Sequence, residues 1–178
     1  MRKFVIMLFF ILAPFILVAC NGYNNIMYDH LRDIDNYIEV SGAIKEIYYW
    51  DDNEKKFWDE SMDIISIEDI TLYVSLQFNK EDYLKFCGCS GMSDDFDYTT
   101  NYIQFEIVPS NVNAIVDNLF FEAISYGDII KITTSNFIYM DTNFFMIIEI
   151  VHNQVNYLLA ETGLSNFVSY MKDNRSIF

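Results

Sequence analysis

The chain has 178 residues, with 11 Lys+Arg against 26 Asp+Glu, a formal net charge of −15 and 52% hydrophobic residues, and its mean hydropathy is +0.13. The length suits one domain, and 2 Pro and 6 Gly beside 16 Phe and 13 Tyr exclude a collagenous or disordered chain, while 3 Cys are too few for a disulfide scaffold. So acidic a balance argues against nucleic acid as a partner, because such binders need Lys and Arg to displace counterions from phosphates.

The first twenty residues explain why an acidic chain has positive hydropathy. Arg2 and Lys3 precede an apolar run from Phe4 to Val18, broken only by Pro14, and Ala19, Cys20 and a polar stretch beginning at Asn21 follow. This is the layout of a secretory signal. A membrane-spanning helix needs about 20 apolar residues, and this run is shorter with a proline inside it. Leu17-Val18-Ala19-Cys20 resembles the lipobox of bacterial lipoproteins, in which a branched apolar residue, a small or apolar residue and Ala or Gly precede the cysteine. The resemblance implies cleavage between Ala19 and Cys20 and lipidation of the Cys20 thiol. It also implies a membrane anchor in a bacterial cell envelope, with the chain facing outside the cytoplasm. The expected organisation is a signal peptide over 1–19, a lipidated tether over 20–36 and a single β-rich domain over 37–178.

Within that domain, Glu39 to Trp50 reads as a strand, with Gly42 marking a bulge or a close backbone approach. Residues 51–62 are charged and read as a loop. Ile70, Leu72, Val74, Leu76 and Phe78 alternate with Thr71, Tyr73, Ser75 and Gln77, the clearest strand in the chain. A long acidic loop over 79–100 surrounds Cys87-Gly88-Cys89. Ile103, Phe105 and Ile107 restart the alternation until Pro109. Ser110 or Asn111 is expected to cap a helix whose apolar stripe is Val112, Ile115, Val116, Leu119 and Phe120. Tyr126-Gly127-Asp128 is a turn, and Ile129–Ile138 a strand. Phe144–Val151 is apolar on both faces, which predicts cover on both sides. Val155–Leu159 follows a turn, and Leu164, Phe167, Val168 and Met171 fall at helical spacing in a last helix.

Strand, strand, strand, helix, strand, strand is the order of the OB-fold, and residues 38–151 resemble it through Gly42 in a long first strand and Gly127-Asp128 opening the strand after the helix. The resemblance implies a mainly β architecture: a small five-stranded antiparallel barrel with a helix between its third and fourth strands and a C-terminal helix. Other small barrels or sandwiches and an open α+β sheet remain alternatives.

Catalytic signatures are absent from the sequence: there is no G-x-S-x-G elbow, no H-E-x-x-H, no phosphate-binding loop and no dinucleotide motif. His30 and His152, in the tether and in a hairpin turn, read as surface residues. No cofactor or metal is implied, and the acidic runs at 51–54 and 94–97 read as solvated loop. Cys87 and Cys89 stand as a candidate disulfide or as two free thiols, with a metal or redox role as a third alternative. Tyr48, Tyr49, Trp50, Phe57 and Trp58 flank the first acidic loop; a strand buries one face, so half of them are expected in the core, and Tyr49, Trp50 and Trp58 are the candidates for binding a partner, with the two tryptophans expected exposed because charged residues adjoin them. The function expected is a non-catalytic, lipid-anchored extracytoplasmic interaction domain with a protein or glycan partner and no nucleic acid. The alternatives are a small-ligand or envelope-maintenance lipoprotein, or an enzyme using dispersed carboxylates.

Overall fold

One long strand, β1 (Tyr37–Asp51), organises the molecule in the computed structural model, which describes residues 29, 31–58, 70–87, 102–135, 137–139 and 142–174. A 3-10 turn at Ile34–Asn36 leads into it. Its end folds back at Asp52-Asn53 into β2 (Glu54–Phe57), then come β3 (Leu72–Gln77), α1 (Lys80–Cys87), β4 (Ile103–Ile107), α2 (Pro109–Asp117) and α3 (Phe120–Ala123). The second half holds β5 (Ile129–Ser135), β6 (Phe137–Tyr139), β7 (Thr142–Phe144), β8 (Ile147–His152), β9 (Val155–Leu158) and α4 (Ala160–Asn174).

The architecture is mainly β. Seven strands form one antiparallel sheet in the order β4-β3-β1-β5-β8-β9, with β2 paired to β1, and β6-β7 form a separate hairpin. The predicted five strands therefore become nine among the described residues. Five of them carry the OB-like order: β1, β3, β4, then α2 and α3, then β5 and β8. Their sheet curls until β4 meets the start of β8. There Glu106 bridges Met146 in parallel, and the Glu106 amide donates to the Phe145 carbonyl at 2.8 Å.

The extra strands come from turns with a simple chemistry. Asp52 and Asn53 have φ of 46° and 66°, and Asn153 and Gln154 have φ of 51° and 67°. Two consecutive residues in this left-handed region make the tight turn that matches strand twist, and Asp and Asn tolerate it. So the first of the predicted charged loops is a hairpin, with β2 inside it. The predicted loop over 79–100 begins as α1, whose first turn is capped by Asn79 Oδ1 accepting from the Asp82 amide at 2.9 Å.

Two apolar clusters lie on either side of the sheet. One side of the curled sheet holds Ile44, Ile47, Leu72, Val74, Leu76, Phe105, Ile107, Ile130, Ile132, Ile147 and Ile150, plugged by Val112, Ile115, Phe120 and Phe121 from the two helices. Outside, α4 lays Phe167, Val168 and Met171 over Met146 and Ile148, joined by Leu31, Tyr37 and Val108. Each such side chain contributes roughly 1.5–3 kcal/mol on burial. The double cover predicted for the Phe144–Val151 run is thus present.

The predicted stripe of one helix is split. Val108 is the N-cap of α2 and Pro109 its first residue, and the helix stops at Asp117. Leu119 turns left-handed at φ 61° and is 56% exposed, so Phe120 starts a separate helix. Asn111 does not cap. It is fully buried, and its Nδ2 donates to the Gly163 carbonyl at 3.1 Å and the Ile147 carbonyl at 3.4 Å, while its Oδ1 accepts from Asn166 Nδ2 at 2.9 Å. A Cβ on Gly42 would meet Leu76 Cβ and a Phe78 ring carbon at 3.0 Å, so the close approach predicted there is real. The register shift of β1 falls just beyond it, between Ile44 and Glu46.

Candidate functional site

That shift decides which side chains of β1 face outward. Beyond it, Ile47 and Tyr49 turn into the larger apolar cluster, while Glu46, Tyr48 and Trp50 share the outer face. Register then lines up neighbours across four strands. Tyr48 stands opposite Phe57 of β2 and Tyr73 of β3, and Tyr73 stands opposite Glu106 of β4. On the row to one side Trp50 stands opposite Lys55; on the row to the other, Glu46 stands opposite Ser75 and Ser75 opposite Gln104.

The result is an aromatic face. The rings of Tyr48 and Tyr73 stack at 5.1 Å and 15°. Trp50 meets Tyr48 edge-on at 6.3 Å and 82°, and Phe57 lies 6.2 Å from Tyr48 at 54°. Trp50 is 54% exposed, Phe57 52% and Tyr102, just before β4, 54%. The Lys55 ammonium sits 3.9 Å from the Tyr48 centroid and 4.6 Å from that of Phe57, and it pairs with Glu46 Oε2 at 3.1 Å.

Polar groups are set beside the rings. The Tyr48 hydroxyl donates to Gln104 Oε1. Burial pushes the Tyr48 phenol above the ordinary tyrosine range, and the carboxylates of Glu46 and Glu106, with Tyr102 once it is ionised, push it the same way. Ser75 is fully buried, and its Oγ has no hydrogen-bond partner among the described residues. The second cation of the hairpin, Lys56, is held by Glu54 at 2.6 Å. That hydrogen bond holds the Glu54 carboxyl below its usual range and raises Lys56.

Of the three predicted binding residues, Trp50 alone is exposed. Tyr49 faces the interior at 8% exposure. Trp58, expected at the surface, is 2% exposed and packs on Phe121 at 5.5 Å and Tyr126 at 5.6 Å. Its charged neighbours misled because adjacent residues of an extended chain point to opposite sides. Tyr48 and Phe57, from the same run of aromatics, join Trp50 on the aromatic face, with Tyr73, Tyr102 and Lys55. The signal for Phe57 and Lys55 was the Asp52-Asn53 turn, which fixes their register against β1.

His152, expected on the surface, is buried at the end of β8, with Nε2 3.6 Å from Asp128 Oδ2. Ala19, Cys20, His30 and Cys89 lie outside the described residues, as does the side chain of Cys87. Among the described residues no group of three His, Cys, Asp or Glu is placed to hold a metal ion, and no helix is long and apolar enough to cross a membrane.

No protein-family model matches the chain, and no curated protein matches it. Among solved structures, it is similar to the mitochondrial single-stranded DNA-binding protein Rim1 of S. cerevisiae, at 13% identity and a TM-score of 0.35, covering 66% of this chain and 92% of that one. Against this finding the expectation of an interaction domain with no nucleic acid is corrected, and with it the exclusion of nucleic acid as a partner. That exclusion rests on whole-chain charge, which governs solubility and long-range steering.

Proposed function

We propose that the protein is a ligand-binding domain of OB-like order whose ligand packs against the aromatic face of β1–β4. The carrying observation is the in-register row Phe57–Tyr48–Tyr73, flanked by the half-exposed Trp50. Over the buried Tyr48, the half-exposed rings of Phe57 and Trp50 offer contact area at little conformational cost, and each ring–ring contact is worth about 0.5–1.5 kcal/mol beyond burial. The position supports the reading too. In the barrel order, β3 and β4 are strands two and three, and the β2 hairpin lies in the loop between strands one and two, where OB barrels take their ligands.

The experiment is a titration followed by Trp50 emission. The panel holds nucleosides, short single-stranded oligonucleotides at two salt concentrations, oligosaccharides, and amides of basic and aromatic amino acids. At least one class should bind, and Phe57→Ala and Tyr73→Ala should weaken it severalfold. A panel that leaves Trp50 emission unmoved overturns the reading, as does binding indifferent to both variants.

For the location, we propose export and acylation at Cys20, supported by the charged-then-apolar leader and Leu17-Val18-Ala19-Cys20. Mass spectrometry of the N-terminus from membranes should find a diacylglyceryl adduct on Cys20. An intact leader or an unmodified Cys20 removes the proposal.

A further inference from the structure

The aromatic face already holds a ligand of a kind, and it belongs to the chain. The Lys55 ammonium lies over two rings, at 3.9 Å from Tyr48 and 4.6 Å from Phe57, and against one carboxylate, at 3.1 Å from Glu46. Ring faces are negative and attract a cation, most strongly where several converge and a carboxylate completes the set. Nothing covalent requires Lys55 to be there. Its stem is flexible, its side chain is one-third exposed, and solvent lies beside it.

We infer that this face is a recognition site for an organic ammonium group, a quaternary or alkylated amine, with Lys55 as an internal occupant that the incoming cation displaces. The inference rests on the proposed function and gives its ligand a chemical class. Three observations favour a cation over an anion or a neutral ring. Glu46 and Glu106 flank the row, and Asp51, Asp52 and Glu54 line its hairpin end. Both cations of that hairpin, Lys55 and Lys56, are engaged by carboxylates, so neither is offered to a phosphate. The carboxylates of Glu46 and Glu106 both push the Tyr48 phenol up, the negative field that a cation relieves.

Displacement sets the affinity. While Lys55 occupies the rings, an external ammonium binds only the fraction of molecules in which it has swung away, and apparent affinity falls by that fraction. Replacing Lys55 by a side chain of similar length and no charge should therefore tighten binding, where removing a contact would loosen it. A quaternary amine has an advantage over Lys55, since it gives up less hydration on meeting the rings.

The test uses the full chain with choline as probe and 3,3-dimethylbutan-1-ol as its uncharged equivalent in shape. Trp50 emission and the ring-current shift of the choline methyl protons report binding. Lys55→Met should bind choline about threefold to tenfold more tightly than the parent. Adding Glu46→Gln to Lys55→Met should reverse the gain, and the uncharged alcohol should bind neither variant. Near-ultraviolet circular dichroism checks that each variant is folded. The inference is overturned if Lys55→Met gains nothing for choline, or if the alcohol binds as well as choline. Should Lys55→Met instead lose affinity for a nucleoside or sugar that depends on Phe57 and Tyr73, the binding face stands and the ammonium class falls.

Discussion

A Cβ placed on Gly163 would lie 1.9 Å from the carbonyl oxygen of Ile148, so the backbone of α4 touches the backbone of β8. Only hydrogen fits there. In a free helix, Gly→Ala gains about 1 kcal/mol in propensity, so the sign of the effect tells contact from propensity. Gly163→Ala should lose at least about 3 kcal/mol, because the atoms in the way are backbone and cannot rotate aside. Chemical denaturation followed by far-ultraviolet circular dichroism measures it, and a midpoint at or above the parent's would refute the contact.

Asn111 ties three elements through one carboxamide, and removing it takes a donor from the buried carbonyls of Ile147 and Gly163. Asn111→Ala should cost about 2–3 kcal/mol, from lost packing and lost buried hydrogen bonds together. Asn166→Ala, which removes one donor to Asn111 from a partly exposed position, should cost under about 1.5 kcal/mol. Equilibrium urea unfolding of both variants tests the order. Equal costs would mean that the buried carboxamide has no special weight.

The two tryptophans should behave as opposites. Trp58 fills the interior and Trp50 stands on the aromatic face, at 2% and 54% exposure. Trp50→Phe should remove the red-shifted, acrylamide-quenchable emission and shift stability by less than about 0.5 kcal/mol. Trp58→Ala should cost about 3–5 kcal/mol through the cavity it leaves. Quenching curves of the single-tryptophan variants decide it, and equal accessibility would contradict the burial described.

Alkaline pH should expose Tyr37. Its hydroxyl donates to the Leu31 carbonyl at 2.7 Å inside the α4 cluster, and burial raises the phenol well above the ordinary range. A folded-state value raised above the unfolded one means that the stability from the neutral phenol is complete below the unfolded tyrosine value, about 10, and is lost as pH climbs toward the folded one. Tyr48 is raised in the same direction. Tyr37→Phe should be about 1 kcal/mol less stable at neutral pH, having lost the bond to Leu31, yet lose less stability than the parent above pH about 10. Thermal scans across that range, with phenolate absorbance as the second readout, would show parallel losses if Tyr37 were not the group responsible.

What the sequence made legible was whatever local periodicity controls. The alternation at 70–78 delivers Leu72, Val74 and Leu76 to the interior, and the helical spacing of Phe167, Val168 and Met171 delivers α4 to its cluster. The binding face was half legible. Trp50 was visible as an aromatic beside charge, but its neighbours Phe57 and Tyr73 are brought to it by strand register, which depends on a turn at Asp52-Asn53 and on a shift at Ile44–Glu46. A one-residue shift sends every later side chain to the other side, so Tyr49 and Trp58 went inward when composition pointed outward. Asn111 was illegible for another reason: its three partners lie 36 to 55 residues away.

The two-sided burial of β8 bears on how the fold comes apart. Ile147 and Ile150 belong to the larger cluster inside the curled sheet and Met146 and Ile148 to the layer under α4, so one short segment is the party wall of both. Peeling α4 away wets Ile148 and Met146, and uncurling the sheet wets their neighbours from behind. Neither layer keeps its wall when the other leaves. The amides of β8 should therefore exchange with solvent only through global opening, as the slowest in the chain, and the two layers should melt in one transition.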